Sequence, residues 1–288
     1  MPLSHRLRAA STRALGFITQ LRGRREAGLI LLLATLAGSA WVFLEIADAA
    51  TTGQAEVVDE QILMLFREGE DPNDPIGSHS VESAVRDVTA LGSLTVISLL
   101  TLLVLGYFFL DRRPRLALYM FVAVVGGAAL SYALKFLYDR TRPSLVPPEA
   151  LPGDPSFPSG HSAAAAVVYL TLALLLARRL PRRSLKVYVV VLGVLLTVAV
   201  GISRLYLGVH WPTDVLAGWT LGGGWALMCW QAERMLQRRG LVERSTFVRR
   251  PRPPIPKEER DGLRPPDDEP GDERASAAAP SAPQASRP

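Results

Sequence analysis

Six long apolar stretches, separated by polar segments, set the pattern of this chain. Each stretch approaches the length of about 20 helical residues that crosses a hydrocarbon core roughly 30 Å thick. The stretches cover residues 28–47, 90–110, 116–137, 160–177, 185–203 and 214–232. The pattern therefore predicts an all-α integral membrane protein, in which residues 27–235 form a bundle of six transmembrane helices.

Small residues recur within three of these stretches. They are Gly126 to Ala129 in the third stretch, Ala163 to Ala166 in the fourth, and Gly218 with Gly222 to Gly224 in the sixth. Because small side chains let helices approach closely in lipid, we expect the third, fourth and sixth helices to form the packed centre of the bundle.

The polar segments alternate in charge along the chain. Residues 1–26 form a basic arm in which Glu26 is the only acid, residues 111–115 and 178–186 are also basic, and residues 48–89 carry many acids. By the positive-inside rule, both termini are expected in the cytoplasm. The loops expected outside cover residues 48–89, 138–159 and 204–213.

The two ends of the chain are open to more than one interpretation. The basic start and the sequence ADA at 47–49 resemble a signal peptide with a cleavage site. The apolar stretch is long for that role, so a retained span is favoured over cleavage. Residues 236–288 are rich in proline and charge, and we expect a disordered cytoplasmic tail that acts as a solvated linker, with partner binding as the alternative.

A shorter apolar pattern lies in the acidic segment after the first span. The sequence EQILMLFRE at 60–68 has apolar residues at roughly helical spacing. This pattern predicts a short helix that lies on the outer membrane interface.

Composition agrees with a membrane protein and narrows the chemistry. Hydrophobic residues make up 49% of the chain and the mean hydropathy is +0.19, which is too apolar for an ordinary soluble domain. The single cysteine, Cys229, excludes an intrachain disulfide and a cysteine-based metal site. With four histidines in all, a histidine-rich metal cluster is not expected. We therefore expect neither a metal nor another cofactor.

Three polar patches fall at the expected outer ends of the helices. They are KFLYDRTRP with Lys135 and Arg142, PSGH with Ser159, Gly160 and His161, and SRLYLGVHWPTD with Arg204, His210 and Asp214. Each patch alone has an ordinary structural explanation: lysine and arginine can anchor at headgroups, serine can cap a helix, and aspartate can complement a helix start. Their common location on one side of the membrane needs a further reason.

Together, the patches suit a phosphate group. The positive-inside rule disfavours cations outside, yet Lys135, Arg142 and Arg204 are all expected there. Arginine offers a planar fork to phosphate oxygens, and lysine offers a point charge. Ser159 and Gly160 open a helix, so their backbone N–H groups can point at an anion, and Gly160 lets the backbone approach without a Cβ.

The third patch supplies a nucleophile. Pro212 suits the first turn of a helix, which would place His210 just before that turn and Asp214 within it. A carboxylate there can hold one imidazole nitrogen and leave the other free to attack. His161, from another helix, can then act as the general acid on the leaving oxygen.

These three motifs resemble the signature motifs of the type 2 phosphatidic acid phosphatase (PAP2) superfamily. The spacing is Lys, six residues, Arg-Pro; then Pro-Ser-Gly-His; then Ser-Arg, five residues, His, three residues, Asp. The resemblance covers roughly residues 55–235, including DVTALGS at 87–93. It implies a bundle of six membrane helices with an extracytoplasmic site.

The resemblance also implies a role for each matched residue. It implies that His210 forms a phosphohistidine, with Asp214 as its partner and His161 as the acid. The residues that it implies for phosphate binding are Lys135, Arg142, Ser159, Gly160 and Arg204.

The sequence thus predicts a multi-pass phosphatase of the cell membrane. We expect it to hydrolyse a lipid phosphate or pyrophosphate of the phosphatidic acid, phosphatidylglycerol phosphate or undecaprenyl pyrophosphate type at the outer face. Its partners would be that lipid and the bilayer, with no nucleic acid. The family's soluble relatives, which hold vanadate and oxidise halides, are disfavoured by the predicted spans. A non-catalytic lipid-phosphate transporter or scaffold remains the alternative.

Overall fold

The computed structural model describes residues 24–69, 71–146, 153–238 and 240. Most of the basic arm 1–26 and of the tail 236–288 lies outside the described residues, so the expectations for both ends stay predictions. The helices are α1 (Arg24–Thr51), α2 (Glu56–Met64), α3 (His79–Ala90), α4 (Leu94–Leu110), α5 (Pro114–Lys135), α6 (Gly160–Arg179), α7 (Arg183–Tyr206) and α8 (Pro212–Arg238). Strands β1 (Arg67–Glu68) and β2 (Asp71–Pro75) form an antiparallel pair.

Each of the six apolar stretches forms a helix. Fewer than six of these helices are long and apolar enough to count as membrane spans. Among the described helices, α1, α5, α6 and α7 are long and apolar enough to cross a membrane. The pair α3 and α4, bent by 46°, makes a fifth candidate if it is one span. Helix α8 is 27 residues long, but its glycines and tryptophans reduce its hydropathy. The mostly helical membrane fold is confirmed, and the count of six spans is not.

Proline and serine define where several helices begin. Pro114 is the first residue of α5 and Pro212 is the first residue of α8. Proline suits this position because its fixed φ is already helical. It has no backbone N–H, and an N–H in the first turn would have no partner within the helix. Ser93 precedes α4, and its Oγ accepts a hydrogen bond from the backbone N–H of Val96 at 3.3 Å. The predicted helix start at Pro212 is confirmed.

Glycines bring α5, α6 and α8 into close contact. A Cβ on Gly222 of α8 would lie 2.5 Å from the carbonyl oxygen of Ala163, and one on Gly218 would lie 2.7 Å from that of Ser159. A Cβ on Gly127 of α5 would lie 2.7 Å from a methyl group of Val167. Only glycine fits at such distances, which confirms the packed centre predicted from the small residues.

The segment between α1 and α3 packs onto the ends of two helices. Helix α2 begins four residues before the segment 60–68 for which a helix was predicted. The last two residues of that segment belong to β1 instead. Leu63 is buried and packs with Leu205 of α7 and Val215 of α8. The guanidinium of Arg67 donates a hydrogen bond to the carbonyl oxygen of Tyr206 at 2.7 Å. The predicted short helix is confirmed for residues 60–64, and its continuation to residue 68 is not. Burial of Leu63 and Arg67 ties this segment to the bundle, and its location at the membrane interface stays a prediction.

Candidate active site

Four helix ends meet at one end of the bundle, here called the site end. Lys135 is the last residue of α5, and Arg204 lies in the last turn of α7. Ser159 is the N-cap of α6, and Asp214 lies in the first turn of α8. Because successive helices run in opposite directions, two C-terminal ends and two N-terminal ends come together. The fold thus unites the three sequence patches.

His210 and Asp214 form a buried pair that is bridged by a serine. The Nδ1 atom of His210 lies 3.4 Å from Oδ2 of Asp214 and 3.3 Å from Oγ of Ser156. Ser156 donates a short hydrogen bond to the same Oδ2 atom. His210 and Asp214 are 2% and 0% exposed. The direct distance between the imidazole and the carboxylate is long for a hydrogen bond. The Ser156 hydroxyl lies between the two groups and bridges them.

Arg142 contacts the other nitrogen of the His210 ring. Its Nη1 atom lies 3.3 Å from Nε2 of His210 and donates to the carbonyl oxygen of Val209 at 2.8 Å. A guanidinium can only donate hydrogen bonds, so Nε2 next to it carries a lone pair. The proton of a neutral ring then lies on Nδ1, towards Asp214 and Ser156.

Burial and neighbouring cations keep the His210 ring neutral. Burial is the largest cause that lowers the pKa of His210, from 6.5 to about 4, and the charges of Arg204 and Arg142 lower it further. The hydrogen bond and the charge of Asp214 act in the opposite direction and are outweighed. At neutral pH the imidazole is therefore the unprotonated, nucleophilic form.

Asp154 pairs with two of the predicted phosphate-binding cations. Its Oδ2 lies 2.6 Å from Nζ of Lys135, and its Oδ1 lies 2.9 Å from Nη2 of Arg142. Burial alone would raise the pKa of Asp154, but the hydrogen bond and charge of Lys135 and the charge of Arg142 bring it below its usual value. An anion of another molecule would have to share or replace this carboxylate.

Arg204 has a guanidinium that is only partly satisfied. It is buried, and its Nη1 donates to Oγ1 of Thr89 at 3.1 Å. Its Nε atom is buried without a hydrogen-bond partner among the described residues. Unsatisfied buried donors are rare in folded proteins and favour an anionic ligand.

The start of α6 differs in one detail from the sequence-based expectation. The backbone N–H of Ser159 donates to the carbonyl oxygen of Asp214 at 3.0 Å, so it is not available to an anion, and that part of the expectation is wrong. The position that a Cβ on Gly160 would take lies 3.7 Å from Cε of Lys135, an ordinary contact distance. His161 is partly buried and lies close enough to Arg204, His210 and Arg142 to interact with their charges.

Four residues at the site end were not singled out by the sequence: Asp59, Arg140, Asp154 and Ser156. Arg140 donates from Nη1 to Oδ1 of Asp214 and from Nη2 to Oδ2 of Asp59, both at 2.8 Å. Ser156 and Asp154 lie next to PSGH, and Arg140 lies within KFLYDRTRP, so nearness to the motifs was the available signal. No sequence pattern links Asp59 to them.

The sequence of this chain matches the model of a known protein family. Residues 116–238 match the family model described as PAP2 superfamily. The chain contains a PAP2 superfamily domain. That PAP2 domain includes every predicted site residue, whereas Asp59 and Thr89 lie before it.

Curated relatives of the PAP2 domain carry phosphatase names. Phosphatidylglycerophosphatase B of Bacillus subtilis is 37% identical over 137 residues, which are 47% of this chain and 66% of the relative. Undecaprenyl-diphosphatase of Sulfolobus acidocaldarius is 33% identical over 127 residues, 42% of this chain and 57% of the relative. Lipid A 1-phosphatase of Rhizobium etli is 31% identical over 119 residues, 38% of this chain and 47% of the relative. The chain thus spans about half to two thirds of the length of these relatives.

A solved PAP2 structure shares the fold. The crystal structure of a transmembrane PAP2 type phosphatidylglycerolphosphate phosphatase from Bacillus subtilis superimposes with a TM-score of 0.60 at 29% sequence identity. The match covers 73% of this chain and 98% of that chain. With its apolar helices and this membrane-embedded neighbour, the chain is a multi-pass membrane protein with a PAP2 domain.

Proposed function

We propose that this chain is a membrane phosphatase that removes phosphate from a lipid phosphate or pyrophosphate through a phosphohistidine on His210. The observation that carries the proposal is the His210 ring itself. Its Nδ1 faces Asp214 and Ser156, and its Nε2 faces Arg142 at 3.3 Å. A neutral imidazole held in this tautomer, with its lone pair beside a cation, suits attack on an anionic phosphorus centre.

The first half of the reaction transfers the phosphoryl group to the protein. The Nε2 lone pair of His210 forms a bond to phosphorus, and the bond from phosphorus to the lipid oxygen breaks. Protonated His161 gives its proton to that oxygen as it leaves. The Nδ1 proton stays on the ring and is stabilised by Asp214 and Ser156 as the ring gains positive charge.

The second half of the reaction releases phosphate. A water attacks phosphorus, neutral His161 accepts a proton from that water, and the bonding electron pair returns to Nε2 of His210. Through both halves, Lys135, Arg142 and Arg204 stabilise the negative charge on the phosphoryl oxygens. The N–H groups at the start of α6, from Gly160 onward, add to this stabilisation. These cations take the place of a metal ion.

The substrate class is proposed from the relatives and from the membrane setting. The names of the three relatives refer to phosphatidylglycerophosphate, undecaprenyl diphosphate and lipid A phosphate. All are phosphorylated amphiphiles, and the cation cluster lies at the ends of apolar helices where such a headgroup would lie. The charge pattern of the loops favours the outer face of the cell membrane.

Release of inorganic phosphate by the purified protein tests the proposal. The substrates would be phosphatidic acid, phosphatidylglycerol phosphate and undecaprenyl pyrophosphate, assayed in detergent with and without EDTA. We expect release from at least one lipid, persistence in EDTA, inhibition by vanadate, and no release by His210→Ala. A transporter or scaffold would release no phosphate from any of them, and a strict need for Mg²⁺ would contradict the cation cluster as the source of charge.

A further inference from the structure

Arg140 joins the PAP2 domain to the segment before it through two buried carboxylates. Its guanidinium lies 2.8 Å from Oδ1 of Asp214 in α8 and 2.8 Å from Oδ2 of Asp59 in α2. The Asp214 side chain is 0% exposed, that of Asp59 is 1% exposed and that of Arg140 is 12% exposed. Two buried acids therefore share one cation.

A second set of contacts fixes this arrangement. Thr213, next to Asp214, donates its backbone N–H to Oδ1 of Asp59 at 3.0 Å. Its hydroxyl lies 2.7 Å from Nη1 of Arg140 and 2.5 Å from Oδ2 of Asp59. Helix α2 is thereby bound to the first turn of α8, the turn that carries Asp214.

The two oxygens of Asp214 have different partners. Oδ2 accepts from the backbone N–H of Trp211 at 2.9 Å and from Ser156, and faces His210. Oδ1 accepts from Arg140. A carboxylate turns about a single bond, so a donor held on Oδ1 also fixes the direction of Oδ2. Arg140 thus sets how Oδ2 meets Nδ1 of His210.

The positive charge of Arg140 has a second effect on the pair. A buried carboxylate without a cation would hold a proton on the imidazole strongly, and an imidazolium has no lone pair with which to attack. Arg140 shares the negative charge of Asp214 and leaves the hydrogen-bond geometry in place. Removing one partner of such a buried pair leaves an uncompensated charge, which is costly.

We propose that Arg140 is a positioning residue that acts on His210 through Asp214, and that Asp59 of α2 holds Arg140 in place. This inference rests on the proposed function, because it concerns the same nucleophile. It extends the reaction machinery to a residue inside the first motif to which the resemblance assigns no role, and to a segment outside the PAP2 match. Arg140 itself has no contact with His210 among the hydrogen bonds of the described residues.

The main test is the kinetics of Arg140→Gln, Arg140→Lys and Asp59→Asn. We expect Arg140→Gln to lower kcat and the rate of phosphoenzyme formation by about 10²-fold, the size of effect that a misplaced catalytic group causes. KM and inhibition by inorganic phosphate should not change, since the phosphate-binding cations are intact. Arg140→Lys should recover part of kcat, and Asp59→Asn should lie between Arg140→Gln and the wild type. Arg86→Gln, which removes an exposed arginine paired with Glu82 on α3, is the matched control.

The pH profile separates positioning from a purely structural role. The charged and titratable groups facing His210 are Asp214, Arg142, Arg204 and His161. In Arg140→Gln the full charge of Asp214 acts on the ring, so the acid limb of kcat/KM should move to higher pH than in the wild type on the same substrate. If Arg140 had only a structural role, Arg140→Gln would lower thermal stability but would not shift the acid limb of the kcat/KM profile.

Each outcome decides the inference. The double variant Arg140→Gln/Asp59→Asn removes one charge of each sign, and its kcat should be no lower than that of Arg140→Gln, even if the single variant folds poorly. A raised KM with unchanged kcat would show that Arg140 binds substrate and would overturn the inference. Wild-type kcat and an unshifted acid limb in Arg140→Gln would overturn it too. If the wild type itself releases no phosphate, the proposed function has failed, which is a separate result.

Discussion

The Nη1 atom of Arg142 lies 3.3 Å from Nε2 of His210, on the side of the ring opposite Asp214. This contact determines the tautomer of the His210 ring. Arginine can only donate hydrogen bonds, so Nε2 must be the acceptor and the ring proton lies on Nδ1. The same arginine also pairs with Asp154 at 2.9 Å. A single side chain therefore connects the proposed nucleophile with the proposed phosphate site, and a phosphate bound to Arg142 would lie next to the attacking atom.

The pairing of Asp154 with Lys135 and Arg142 predicts that this carboxylate competes with substrate. Asp154→Asn removes the competing charge and leaves both cations in place. We expect KM and the inhibition constant of inorganic phosphate to fall by about tenfold, equivalent to about 1.4 kcal/mol. Steady-state kinetics on one lipid substrate, with phosphate as inhibitor, measure both.

The control for Asp154→Asn is Asp139→Asn, which removes an exposed charge from the same loop. That variant should leave both constants unchanged. A rise of KM in Asp154→Asn would instead mean that Asp154 orients the two cations for the substrate.

The lowered pKa of His210 predicts how stability depends on pH. The pKa is about 4 in the folded protein and 6.5 as the ordinary value, so the unfolded chain binds more protons between these limits. Stability therefore falls as pH drops from 6.5 to about 4, by about 1.4 kcal/mol per unit of pKa difference, and His210 contributes no pH dependence above that window. His210→Gln, which cannot take up a proton, lacks this contribution.

Melting temperatures of wild type and His210→Gln in detergent, measured from pH 4 to pH 8, would show the difference. The wild type should lose stability relative to the variant only on the acid side. Parallel curves over the whole range would mean that the folded ring binds a proton as readily as the unfolded one.

The two histidines are expected to differ in their dependence on the leaving group. A lipid alkoxide needs a proton to leave, so His161→Ala should reduce the rate of phosphoenzyme formation from an alkyl phosphate, measured in a single turnover, on the order of 10²–10⁴-fold. A p-nitrophenolate leaves without help, and the loss on an aryl phosphate should be visibly smaller. The matched control is His79→Ala, which removes an exposed histidine of α3. Equal losses on both substrates would make His161 a phosphate ligand rather than an acid.

The orientation of the chain is predicted from charge and can be tested by cysteine labelling. Single cysteines at Ser78 and Ser144, in a Cys229→Ser background, should react with an impermeant thiol reagent in intact cells. A cysteine at Ser184, in the basic segment 178–186, should react only after permeabilisation. The reverse pattern would place the site end in the cytoplasm.

Much of the fold follows from the hydropathy pattern because a helix in lipid must satisfy its own backbone and present apolar side chains. The stretches at 116–137 and 185–203 correspond to α5 and α7 within a few residues. The glycines of α8 show the limit of the same signal. They bring the helix against α6, and they also reduce its hydropathy below that of a typical span.

The site was predictable where chemistry was concentrated in one short motif, as for His210 and Asp214 four residues apart. It was not predictable where the partner lies far along the chain. Asp59 and Arg140 are 81 residues apart, and no periodicity relates a short helix before the PAP2 match to a loop inside it. Ser159 shows a different limit, since its N–H is taken by a carbonyl that only tertiary packing brings close.

The most direct test of the account is to trap and locate the phosphoryl group. His161→Ala, supplied with an activated aryl phosphate, should still be phosphorylated and should hydrolyse the intermediate slowly, because the base for the attacking water is missing. Rapid quench followed by mass spectrometry of the peptides should find an acid-labile, alkali-stable phosphoryl group on His210. His210→Ala in the same background should carry none. A phosphoryl group on any other residue, or turnover by His210→Ala, would contradict the central claim.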